Sequence, residues 1–264
     1  MAEFDEAGPN QPPTTRGADA EPQMSEVSTI TGIFFEPGRV FEDLRRKPRF
    51  IIGGIIIALF VTAYAFGLNY KVGEAGMRRF MVEQIDKSPQ AASMSKEQKD
   101  STVEMQLTIQ KWIRFFVPVF VIISLFIGGL LYFLGTKAFG GDGGFMHSLS
   151  VWTYSSIPPT VLGMLASFVV MAIKSADEID IGASQRGLVN ANPSMFIDGK
   201  EQPVLATLLA TLDVFMIWGW ILAAIGLRIT NRLSSGSAWA VVIILAVIGV
   251  LMRVVGSIFS GNPS

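Results

Sequence analysis

Asp213 and Arg253 are the residues whose type and position most demand a chemical explanation. Asp213 lies inside Leu208-Leu209-Ala210-Thr211-Leu212-Asp213-Val214-Phe215-Met216-Ile217-Trp218-Gly219-Trp220, which reads as the interior of a lipid-embedded helix. A charge at the centre of such a helix costs roughly 2.5–3.5 kcal/mol on insertion scales. The acid must therefore be protonated, paired or turned toward water. Arg253, in the last apolar run, is the natural partner. Asp213 falls about nine residues from the start of its run, roughly 13 Å, and Arg253 about six from the end of its own, roughly 9 Å. A long arginine side chain covers that difference. The expectation is a buried Asp213–Arg253 pair joining the last two helices, with proton or ion coupling as the alternative.

Tyr154-Ser155-Ser156-Ile157-Pro158-Pro159-Thr160 is the second such feature. Consecutive prolines remove two backbone donors from a helix interior, and carbonyls freed inside a membrane need protein or water partners. The hydroxyls of Tyr154, Ser155 and Ser156 are at hand, so the segment predicts a fixed kink; a gating hinge or binding crevice is the alternative. Gly140-Gly141-Asp142-Gly143-Gly144 invites comparison with a phosphate loop. It lacks the Gly-Lys-Ser/Thr ending and a surrounding strand–helix unit, and reads instead as a tight turn. His147 beside it reads as a solvated or interfacial loop residue. Asp177, Glu178, Asp180, Asp198 and Glu201 match no calcium loop and read as a solvated face.

Composition closes most other chemistries. There is no cysteine, hence no disulfide framework, thiol nucleophile, iron–sulfur site or zinc–thiolate site. With one histidine, any His-based metal site or triad depends on His147 alone. A net charge of −1 excludes the broadly basic surface of a nucleic-acid binder. The chain carries no His-Glu-x-x-His, no Gly-x-Ser-x-Gly and no paired intramembrane aspartates. No catalytic residue, metal or cofactor is expected.

The elements that must hold these residues are apolar helices. Half of the 264 residues are hydrophobic and 16% are charged. Five apolar runs recur, at about residues 50–68, 115–135, 151–173, 204–227 and 238–259. A hydrocarbon core of about 30 Å needs about 20 apolar helical residues to cross it, and each run supplies them. The fold class expected is an all-α polytopic membrane protein with five transmembrane helices. Residues 32–260 form the transmembrane domain, and Gly219 and Ala223 make a small-xxx-small pair for close helix packing.

Residues 1–31 have almost no large apolar side chains and read as a disordered tail. Between Pro37 and Pro48, Val40, Phe41 and Leu44 share one helical face, which predicts a short amphipathic helix lying on the membrane surface. Arg45, Arg46, Lys47 and Arg49 directly precede the first span and argue for a cytoplasmic N-terminus. The loop at 69–111 is long and partly helical. Met77, Phe80, Met81 and Ile85 recur at helical spacing, and Ser95 with Gln98 forms a capping box. A helix from Lys96 could then run unbroken into the second span, about 60 Å in all.

These stretches resemble the Yip1 domain family in its prokaryotic form. The resemblance rests on Phe35-Glu36-Pro37-Gly38-Arg39-Val40-Phe41 with Pro48; on Phe139-Gly140-Gly141 through Tyr154-Ser155-Ser156-Ile157-Pro158; and on Leu212-Asp213-Val214-Phe215-Met216-Ile217-Trp218 running to Ile225-Gly226-Leu227. Together with the five-span layout they cover about residues 30–260. The resemblance implies a helical five-span protein with its N-terminus in the cytoplasm. It carries no catalytic residues over. Eukaryotic relatives are linked to vesicle trafficking and Rab-type GTPases; the long 69–111 loop departs from them.

The function expected is that of a non-enzymatic protein of a prokaryotic cytoplasmic membrane, with its C-terminus outside. It would scaffold membrane or recruit protein partners through its N-terminal segment and the 69–111 loop. The bilayer is its first partner, and homo-oligomerisation is left open. The rival is a small-molecule or ion permease using Asp213 and the Pro158–Pro159 break. A wet cavity at Asp213 favours the rival, and tight packing there counts against it.

Overall fold

The structure, a computed structural model, describes residues 23–260 apart from 183, 185, 186, 190 and 200. The described residues form helices and connecting loops. In chain order the helices are α1 Glu26–Phe35, α2 Pro37–Arg46, α3 Ile51–Asp86, α4 Lys96–Phe115, α5 Val117–Ala138, α6 Phe145–Ile173, α7 Pro203–Ala210, α8 Val214–Thr230 and α9 Ser235–Ser260. Among them α3, α5, α6 and α9 are each long and apolar enough to cross a bilayer. The pair α7 and α8, bent by 45° at a short break, passes the same test only when taken together, as one broken span or a re-entrant segment.

Two hydrophobic clusters organise the bundle. The first lies at the N-terminal end. There Val40, Phe41 and Leu44 of α2 pack with Leu149, Val151, Tyr154 and Ile157 of α6 and with Leu227 of α8. The apolar face of α2 is completely buried against protein, so α2 plugs the end of the bundle. The expected short amphipathic helix before the first span is present, and its apolar face is taken up by α6 and α8. The disorder expected for residues 1–31 lies, for 1–22, outside the described residues. From Glu26 onward the chain is helical: Ser25 Oγ accepts from Ser28 N, and Thr29 and Ile33 are buried.

The second cluster lies at the distal end. Glycine at 73 takes φ 70° inside α3 and breaks it, a backbone state that glycine adopts without steric cost. Beyond Gly73 the chain turns into an arm that packs on α4 through Met77, Met81, Ile85, Val103 and Leu107, joined by Ile179 and Ile181. Ion pairs stitch it together, with Arg78 on Glu104, Lys99 on Asp86 at 2.7 Å, and Arg79 on Asp177 at 2.7 Å. Ser95 and Gln98 form the capping box that starts α4. The helix does not run unbroken into the second span. It stops at Phe115, because Pro118 has no N–H with which to continue the ladder.

Candidate functional site

Asp213 is where the bundle departs most from a plain reading of its sequence. It is not inside a continuous helix: α7 ends at Ala210, and Asp213 takes an extended conformation as the N-cap of α8. Its Oδ1 accepts from Phe215 N at 2.9 Å and from Met216 N at 3.3 Å. Val214 N donates to Ala191 O at 3.2 Å, and Ile217 N to Asp213 O at 2.9 Å. The first four backbone donors of α8 therefore all have partners, the requirement every helix start must meet. Asp213 Oδ2 also accepts from Asn192 Nδ2 at 3.1 Å, which ties the 174–203 connection down onto the break. A carboxylate is well suited here, since the broken helix offers it N–H groups that a continuous one would withhold.

The break also changes the depth of the charge. From Asp213 to the N-terminal end of the bundle runs the 17-residue α8, about 25 Å. A helix of that length starting at one face of a hydrocarbon core about 30 Å thick would end nearer the opposite face than the centre. Arg253 on α9 reaches the same level: its Nη1 lies 3.6 Å from Met216 Sδ, in the first turn of α8.

Both residues line one cavity of about 1180 Å³. Its walls are α6, the α7–α8 pair and α9, because α9 packs on α7, α8 and the near end of α5. At the rim stand Asp180, Asn192, Asp198, Asp213 and Arg253; deeper lie Ser156, Pro159, Trp152, Leu131 and Leu245. Pro158 is buried, whereas Pro159 faces the cavity. The helix α6 continues past both prolines. The serines do not cap the carbonyls the prolines free. Ser155 Oγ and Ser156 Oγ both donate to Trp152 O, at 3.1 and 2.8 Å, since a hydroxyl in a helix reaches back three or four residues. Tyr154 instead points away, its OH 3.5 Å from Glu26 Oε2.

The other residues singled out by the sequence gather at the opposite end. The turn Gly140–Gly144 wraps around Asn231, the residue that ends α8. Asn231 is fully buried. Its Nδ2 donates to Thr136 Oγ1 at 2.9 Å and to Ser148 Oγ at 2.7 Å, and its carbonyl accepts from Asp142 N at 3.1 Å. A Cβ on Gly143 would fall 2.5 Å from Asn231 Nδ2, and one on Gly141 would fall 2.8 Å from Asn231 O; Gly140 takes φ 76°. His147 is no loop residue. It lies in the first turn of α6, where its Nδ1 accepts from Gly144 N, and its Nε2 is 3.2 Å from Arg45 O. With Nδ1 accepting, the proton sits on Nε2 and is donated to the C-terminal turn of α2.

The basic cluster divides. Arg46 and Lys47 are exposed, and Arg45 pairs with Glu42 at 2.9 Å. Arg49 turns inward. Its Nη2 donates to Asp43 Oδ2 at 2.7 Å and to Met24 O at 3.1 Å, and Glu26 Oε1 lies 3.1 Å from its Nε. The side chains of Arg49 and Asp43 are only 12% and 8% exposed, so this pair locks α1 and α2 to the start of α3. Among the described residues no group of three His, Asp or Glu side chains is placed to hold a metal.

Sequence reading missed Asn231, Asn192 and Asp43. Asn231 had a usable signal, an asparagine directly after an apolar run. So did the capping role of Asp213, an aspartate directly before one.

Four long apolar helices and a broken fifth define a multi-pass helical membrane protein. The Yip1 domain family matches residues 31–256, and the chain belongs to that family. It is similar to the membrane protein YknW of Bacillus subtilis (strain 168), at 28% identity over 242 residues, covering 90% of this chain and 91% of that protein. No solved structure matches it.

Proposed function

We propose that the protein works through the Asp213 cavity as a small-molecule permease of the cytoplasmic membrane, without enzymatic chemistry. The observation that carries this reading is the cavity itself. About 1180 Å³ of accessible space is gathered in one cleft between α6, α8, α9 and the distal segments, on the scale of a large ligand site. The two breaks, at Gly73 and at 211–213, supply places where distal segments can rotate against the bundle. An Asp213–Arg253 ion pair would then act as a rim contact that binding opens and closes. Arg45, Arg46 and Lys47 support a cytoplasmic N-terminus, which puts the rim outside.

Because the chain lacks cysteine, Ser156→Cys gives a single reporter in the cavity wall. A permease requires that a membrane-impermeant thiol reagent reach it from either side of the membrane, in alternation. Labelling from one side only would reduce the protein to a receptor, and labelling from neither would remove the cavity from function. A second reading, partner recruitment, is favoured by the charged arm formed by α4 and the residues beyond Gly73, together with the exposed Arg46 and Lys47. Deleting residues 87–95 at its tip, followed by affinity purification from native membranes, tests it: a near-stoichiometric partner lost on deletion supports recruitment.

A further inference from the structure

We propose that the molecule this cavity takes is a membrane lipid, with its head group at the Asp213–Asn192–Arg253 rim and an acyl chain running down between α6 and α9. The proposal rests on the reading above only in placing the substrate in the same cavity.

Three observations carry it. The first is a gradient of polarity along the cavity. Charged and amide groups (Lys87, Asp180, Asn192, Asp198, Asp213 and Arg253) collect at the distal end, whereas the deeper part carries no charge and is lined by Leu131, Trp152, Val242 and Leu245 with the hydroxyl residues Tyr132, Ser155 and Ser156. Cations and carboxylates side by side suit a zwitterionic head group, whose phosphate and ammonium need both. The second is length. Gly219 of α8 lies beside Ser155 and Pro159 of α6. From that level Asp213 is six residues away in the distal direction and Trp152 three to seven in the other. The separation is roughly 15–20 Å, close to one leaflet of a hydrocarbon core about 30 Å thick. The third is the side opening. Leu131 of α5 and Ile248 and Met252 of α9 line the cavity and are themselves substantially exposed, so the cavity is not closed off on that side. Exposed apolar side chains in the wall of a multi-pass membrane protein suit contact with acyl chains. A site for a water-soluble solute would be sealed on that side, since nothing is gained by letting acyl chains compete for it.

Two glycines allow a clean test. Gly163 of α6 and Gly249 of α9 both line the cavity, and a Cβ on either meets nothing within 4 Å. Leucine at these positions has a free start for its side chain and projects the rest into the space the two glycines line. The full chain would keep Trp152 as its sole tryptophan, the other four of five replaced by phenylalanine. It would be reconstituted in vesicles of phosphatidylethanolamine and phosphatidylglycerol with dibrominated acyl chains, which quench indole on contact. Quenching of Trp152 is expected, and in Gly163→Leu/Gly249→Leu it should fall to the level seen in unbrominated vesicles, with helical content unchanged. Gly249→Leu alone serves if the double variant does not fold.

Equal quenching in parent and filled chains would mean that Trp152 meets only the lipid around the bundle, and would overturn the proposal. No quenching in the parent, with Ser156→Cys labelled from both sides, would also overturn it while leaving a permease for a polar solute. Quenching lost on filling, with Ser156→Cys labelled from one side only, would uphold the lipid site and end the permease reading.

Discussion

The helix α8 carries a polar side chain at each end, and the two ends are built to opposite specifications. At Asn231 the chain closes. The carboxamide reaches two hydroxyls on two other helices, glycines bring the 140–144 turn against it, and no space remains. At Asp213 the chain opens: the helix is broken, the carboxylate caps the new start, and a cavity begins beside it. Both groups supply partners to polar atoms away from water, although Asn231 Oδ1 itself is buried without a hydrogen bond among the described residues. The difference shows that a polar residue at a helix end can fasten helices or stand beside an opening, depending on whether its partners come from other helices or from its own helix start and a neighbouring loop.

The closed end should be the more costly to break. Arg49→Ala leaves Asp43 buried without its cation, a loss of about 3–5 kcal/mol for a buried pair stripped of one partner. Thermal unfolding in mild detergent measures it. A change below about 1 kcal/mol would place Arg49 among weakly coupled surface pairs and would make α1 and α2 a loose attachment. Asn231→Ala comes next, at about 1–3 kcal/mol, because the Thr136 and Ser148 hydroxyls lose a shared donor in a buried site. Gly143→Ala should cost a similar amount by pushing a methyl onto the same carboxamide.

What was legible in the sequence follows this division. The spans were readable because the demand for about 20 apolar residues leaves a long, redundant signal. The start of α4 was readable because a capping box is local. The burial of α2 was not, since a helix with Val40, Phe41 and Leu44 on one face looks alike whether that face meets lipid or α6 and α8. Nor was the Arg49–Asp43 pair, because its basic member sits in a cluster that serves equally well as a topology signal. Asp213 was found, but its setting was misjudged. The hydropathy of Leu208–Trp220 runs straight through the break, and only the Asp-before-apolar cap signature marks it. The cavity had no local signature at all: it comes from α9 leaning on α7 and α8 and away from α6, a relation between distant segments.

At the open end the effects should be smaller and more diagnostic. Asp213→Ala removes the cap of α8 and should cost about 0.5–2 kcal/mol. Asp213→Asn keeps an acceptor for Phe215 N and Met216 N, and asparagine caps about as well as aspartate, so its cost should be near zero if capping is the whole role. A loss for Asp213→Asn equal to that of Asp213→Ala would mean that the charge itself matters. The Asp213–Arg253 ion pair would then be the reason, and exchanging the two residues should recover part of the loss.

The smallest effect, and the one most opposed to ordinary expectation, is at Gly249. Enlarging a side chain inside a well-packed bundle is destabilising, typically by about 1–3 kcal/mol, as Gly143→Ala should show. At Gly249 there is nothing to collide with, and alanine is favoured over glycine in a helix interior by about 1 kcal/mol. Gly249→Ala should therefore leave the unfolding midpoint unchanged or raise it slightly. A clear fall would mean that α6 and α9 close upon each other in the membrane, and the contrast between the two ends of the bundle would disappear with the cavity.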